Sequence, residues 1–210
     1  PERDPERWSP PWSFVEHLRD TREWVAAKAP GGFRPGPGWS AEWVGVANYV
    51  AECAVYSLPN PALVHPRQAT LLGAGVDASD LTHAVSDVGA PVGAVCEYLG
   101  EPHPVFHRAL ASLCGDRARQ VSADSTWITS DAPTIRGVRW LRIIGTAPLK
   151  RMGALARAHG VEAVAVKSRE SPTSLSAIRS KVGLPDGNEF AVVIAHGLSD
   201  AILAQFVPAD

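Results

Sequence analysis

Cysteine is scarce: three in 210 residues, Cys53, Cys96 and Cys114, widely spaced and without a CxxC pair. That excludes a disulfide framework. The apolar surroundings of Cys53 and Cys96 predict buried, reduced thiols, and with them a cytoplasmic location. No run approaches the roughly 18 apolar residues of a membrane span, so no membrane is expected as a partner. A charge excess is missing too. Lys and Arg total 20 against 22 Asp and Glu, a net charge of −2, which offers no overall basic footprint for nucleic acid, and no nucleic-acid partner is expected. GxxxxGK[ST], GxGxxG, GxSxG and HExxH are all absent. Those absences remove the P-loop, the dinucleotide fingerprint, the nucleophile elbow and the zinc-protease helix.

The hydrophobic share of 45% and charged share of 20% belong to an ordinary folded protein. Arg far outnumbers Lys and Ala is abundant, a composition that suggests a GC-rich bacterial source. Apolar and amphipathic runs alternate through residues 137–197: Val138–Ile144, Pro148–His159, Ala163–Val166, Leu175–Val182 and Phe190–Ala195. Strand-length runs separated by helix-length ones predict βαβ units. The expected fold class is therefore α/β, a mostly parallel sheet flanked by helices, with a helical N-terminal region. Residues 1–66 would be that helical region, packed on an α/β domain of residues 67–210, the two forming one structural domain.

In chain order, Ser13 and Glu16 make a capping-box pattern for a helix through Lys28. APGGFRPGPG, residues 29–38, breaks it. A second helix is expected from Ser40 to Leu58, on the helical spacing of Trp43, Val46, Val50, Ala54 and Val55. Gln68–Val76 reads as a strand, followed by a short helix to Val88 and a strand over Pro91–Leu99. Pro104–Cys114 reads as a helix with proline in its first turn, Gln120–Ile128 as a strand, and Leu198–Phe206 as a closing helix.

In open parallel sheets ligands sit at the strand carboxyl ends, beside helix N-termini whose free N–H groups suit anions. That rule selects Asp77, Thr146, Lys167, Arg169 and Ser171 as ligand-binding candidates, with Arg34 on the glycine-rich loop. His196, ending the last apolar run, is the candidate general base, and Ser168, beside Lys167 and Arg169, is the second catalytic candidate, a hydroxyl positioned for binding or attack. The leading reading is an enzyme, a metal-independent transferase or hydrolase, acting on a small phosphorylated, carboxylated or nucleotide anion. No cofactor is specified. Cys96, His103, His107 and Cys114 form C-x6-H-x3-H-x6-C, but Pro104 leaves His103 at a helix cap, off the face of His107, and no metal site is expected.

The stretch ARAHGVEAVAVKSRESPTS followed by DGNEFAVVIAHG resembles the final part of RES-type toxins, which consume NAD⁺. The resemblance implies an ADP-ribosyltransferase or NADase, with Gly160, Glu162, Ser168, Gly187 and Asn188 as counterparts. GGFRPGPG and ANYVAE would supply Arg34 and Tyr49. The early arginine motif departs from that family's pattern, and no glutamate follows Tyr49 at its spacing. A third reading is a non-catalytic module. Five of the seven tryptophans fall within the first 43 residues, and the N-terminal helices would present them to a protein partner or a second copy of the chain.

Overall fold

Period-two burial governs far more of this chain than helical spacing does, and it builds two mixed, mostly antiparallel sheets. The structure is a computed structural model. It describes residues 4–7, 10–21, 25–29, 36, 38–46, 49–57, 67–73, 80–86, 88–168 and 170–208. Two compact units result: residues 1–88 with 103–113, and residues 89–102 with 114–210.

The first unit holds helix α1 (Trp12–Thr21) and strands β1 (Val25–Ala29), β2 (Ser40–Val46), β3 (Tyr49–Ser57), β4 (Gln68–Leu72) and β5 (Leu81–Ala84). Their order is β1-β3-β2-β4-β5, with only β2 and β4 parallel. The expected helical N-terminal region is thus corrected. α1 ends at Thr21 and the chain returns as β1 by Val25; the expected Ser40–Leu58 helix is the β2–β3 antiparallel pair. Val, Trp and Tyr prefer the pleated surface, and that preference overrides an apolar spacing that also fits a helix. The segment expected to be a helix before Val88 contains β5 instead. Trp12, Trp39 and Trp43 are all buried in this unit, so none of them offers an apolar surface. A 3-10 turn, Pro104–Arg108, packs on β2, β3 and β4. Gly45 permits that approach, since a Cβ there would lie 2.9 Å from His103 Cε1. His103 is the N-cap of this turn, its Nδ1 accepting from Val105 N.

The second unit is built on β6 (Tyr98–Pro102), β7 (Arg119–Gln120), β8 (Ile128–Ser130), β9 (Val138–Ala147), β10 (Ala165–Lys167), β11 (Phe190–Val193) and β12 (Ala201–Phe206). Helices α3 (Met152–Ala158) and α4 (Leu175–Val182) belong to this unit, whereas α2 (Leu110–Cys114) falls almost wholly in the first. The order is β10-β11-β12-β9-β6-β8-β7. The expected βαβ unit exists as β10–α4–β11, a parallel pair joined by a helix. The expectation of a mostly parallel sheet nevertheless fails, because the segment expected to be a closing helix is β12. It inserts antiparallel between β11 and β9. The strand expected over Pro91–Leu99 begins only at Tyr98, and the one expected over Gln120–Ile128 is two short strands around a loop.

Alternate residues of β11 and β12 face two cores. Val192 and Leu203 meet Met152, Ala156, Ile178 and Val182 of α3 and α4. Val193 and Ile202 meet Leu99, Leu141, Val121 and Trp127 on the opposite face. Gly153 sits against the end of α4, where a Cβ would collide with the Val182 carbonyl oxygen.

Candidate functional site

Three polar loops of the second unit converge on one carboxylate. SADST, residues 122–126, has no apolar residue long enough to anchor it, so its position depends on hydrogen bonds. Glu170 provides them. Its Oε2 accepts from Ser125 Oγ at 2.6 Å and from His196 N at 2.9 Å, while Oε1 accepts from Thr126 N at 2.5 Å and Thr126 Oγ1 at 2.6 Å. Ser122 Oγ donates to the His196 carbonyl at 2.7 Å. Gly197 has φ +83°, and a Cβ there would lie 2.6 Å from Ser122 Cβ, so glycine is needed both for the turn and for the approach. Burial pushes the Glu170 carboxyl up, but the donors from Ser125, Thr126 and His196 outweigh it and hold the group below its ordinary range. An ionised carboxylate whose partners among the described residues are all neutral donors is a fastener for loops, not a proton acceptor poised for chemistry.

The sequence-predicted residues fall around this cluster. β9, β10 and β11 run in one direction, so their carboxyl ends share one sheet edge. Thr146, Ile202, Val193 and Lys167 are successive partners in one row across four strands, which places the Thr146 and Lys167 backbones about 14 Å apart. Ser168 follows Lys167 directly, and its carbonyl accepts from Ser171 N at 2.9 Å. The structure therefore brings Thr146, Lys167, Ser168, Ser171 and His196 to one edge. The expected setting beside helix N-termini is corrected: Thr146 lies inside β9, and α4 is capped by Ser174, whose Oγ accepts from Ala177 N. His196 is held through its backbone while its side chain is exposed. Arg34, Asp77 and Arg169 lie outside the described residues.

Among the described residues no group of three or more His, Cys, Asp or Glu is placed to hold a metal. Cys114 is buried, its thiol pushed up to about 11 by desolvation. Cys96 is half-buried, its Sγ donating to the Ala94 carbonyl.

Sequence reasoning missed two features. Glu170 stood among scattered acids with nothing in its spacing to mark it, because its donors come from residues 44 and 26 positions away. The second was legible. Between Asp131 and Glu162 there is no acidic residue, yet Arg136, Arg139, Arg142, Lys150, Arg151 and Arg157 all occur. The net charge of −2 conceals this run of six cations. Lys150, Arg151 and Arg157 are exposed, the first two in the turn before α3 and the third on α3.

Lys167 is also more than an edge cation. Its Nζ lies 2.9 Å from Glu101 Oε2, with both side chains largely buried. Four strand steps separate β10 from β6, about 19 Å in a flat sheet, so the sheet coils strongly to let them meet.

A family model described as THUMP domain-like matches residues 138–204, the stretch from β9 into β12. Because THUMP domains bind RNA, this match corrects the expectation of no nucleic-acid partner. The matched stretch includes the one resembling RES-type toxins. The chain is also similar to a solved structure described as "putative methyltransferase from Porphyromonas gingivalis W83". Identity is 18% and the TM-score 0.67, covering 95% of this chain and 55% of that one. The likeness establishes a shared fold, and the present chain spans 55% of that protein's length. No curated protein matches the sequence.

Proposed function

We propose that this chain is the RNA-binding part of an RNA-modifying enzyme, a methyltransferase. The observation that carries the reading is the THUMP domain-like match over residues 138–204. The acid-free run of six cations supports it, since five of the six lie inside that match. Lys and Arg neutralise backbone phosphates whatever the net charge of the whole chain, because screening limits each charge to its own neighbourhood, about 10 Å at 0.1 M salt. The anion first expected at the strand ends is then an RNA phosphate, received near Thr146, Lys167, Arg169 and Ser171, with Ser168 and His196 as further polar contacts. Methyl transfer is assigned to the remaining length of such an enzyme, in keeping with the 55% coverage of the Porphyromonas gingivalis structure.

Fluorescence anisotropy with a labelled RNA over a salt series tests the proposal. The apparent affinity should fall steeply with salt, the logarithmic slope being roughly −0.7 per phosphate contacted on a single strand. Reversing the three exposed cations together, with Lys150→Glu, Arg151→Glu and Arg157→Glu, should weaken binding at least about tenfold and flatten that slope. A flat salt dependence for the unaltered chain would sink the reading.

A further inference from the structure

We infer that Phe206, with Arg139 and Lys167 close to its ring, forms a stacking platform for one unpaired nucleotide, so that the RNA bound is single-stranded. The inference rests on the RNA reading above and adds the kind of RNA. Phe206 ends β12, paired with Leu141 of β9, and is a half-buried residue on the face that carries Leu99 and Leu141, packed against that core. The Arg139 guanidinium lies 6.0 Å from the ring centroid and the Lys167 ammonium 5.9 Å.

The charges on this face do not cancel. Glu101 is the direct cross-strand partner of Arg139, which is where an opposite-charge pair would be expected. Its carboxylate turns instead to Lys167, accepting at 2.9 and 3.3 Å. Arg139 is exposed and keeps its charge beside the aromatic ring. The face therefore offers an aromatic side chain for a base and, for the phosphate next to it, a guanidinium that pairs with no carboxylate among the described residues. That pairing of ring and cation is how unpaired bases are held without sequence readout, whereas a duplex keeps its bases stacked inside and cannot use the ring.

The test compares a labelled single-stranded oligoribonucleotide with a blunt duplex of the same sequence, using the 210-residue chain. The single strand should bind more tightly. Phe206→Leu keeps an apolar side chain against the core but removes the π face. It should cut single-strand affinity about 5- to 100-fold and leave duplex binding unchanged. Arg139→Gln should weaken binding and lower the salt slope by about 1. A 2-aminopurine in the strand should be quenched on binding the unaltered chain and less so with Phe206→Leu. Should Phe206→Leu fail to fold, Arg139→Gln and the quenching of the parent decide. Parental single-strand affinity in both variants, or a parent that leaves 2-aminopurine unquenched, overturns the platform. Equal affinity for duplex and single strand also overturns it while leaving RNA binding intact. If the unaltered chain binds neither RNA, the platform and the functional reading fall together.

Discussion

The second unit contains two charged clusters that solve opposite problems. Around Glu170 one negative charge meets four hydrogen bonds from neutral donors, and three loops are fastened as a result. Around Phe206 the Glu101 carboxylate pairs with Lys167, and among the described residues Arg139 at the surface has no carboxylate partner. Charge that is fully satisfied inside the chain serves the fold. Charge left unsatisfied at an exposed position is available to a ligand, because little desolvation stands between it and an incoming phosphate.

The largest effect expected from this contrast is on stability. Glu170→Ala removes the acceptor common to Ser125, Thr126 and His196, and should cost about 2–3 kcal/mol in denaturant unfolding. Amides of residues 122–126 and 196–197 should exchange faster, because their loops lose a shared anchor. An unchanged midpoint would mean that the loops hold themselves and that the two clusters are not different in kind.

A pH series sharpens the same contrast with a smaller effect. The folded-state value of Glu170 lies below its unfolded one. Its contribution is therefore fully present above the ordinary carboxylate value of about 4.3 and is lost as pH falls through the depressed folded value. Glu170→Gln should flatten this part of the stability profile. Chemical denaturation of both proteins between neutral and acid pH measures the difference.

The smallest effect expected belongs to Arg142, whose pair with Glu97 at 3.3 Å is exposed on both sides, 64% and 51%. Arg142→Gln should change stability by no more than about 0.5 kcal/mol. A large loss would show that a surface charge pair here fastens the fold as Glu170 does, and would blur the distinction.

How much of this was legible depended on how local the deciding forces were. α4 falls on Leu175–Val182 as its spacing predicts, with Ser174 at its start and Gly183 in the left-handed conformation at its end. Caps and periodicity lie within one segment, so sequence alone suffices. Residues 40–57 carry apolar residues at intervals that fit either period, and the partners that decide between them, β1 and β4, lie elsewhere in the chain. Ala201–Phe206 departs from the expected helix for the same reason: as β12 it is selected by open edges on β11 and β9. The candidate site divides in the same way. That Thr146, Lys167, Ser168, Ser171 and His196 gather at one sheet edge is readable from strand ends, and the acid-free cationic run from charge along the chain. The Glu170 cluster is not, since its donors come from two other loops.

By itself, then, the sequence determined the β10–α4–β11 crossover, the edge where its polar junctions gather, and the cationic run from Arg136 to Arg157. Tertiary structure alone decided that β12 enters antiparallel, that the sheet coils until Lys167 reaches Glu101, and that Arg139 is left beside Phe206. The physical reason is distance along the chain. Periodicity, capping and local charge act within a dozen residues, whereas strand pairing and the choice of a salt-bridge partner compare alternatives that meet only once the chain has folded.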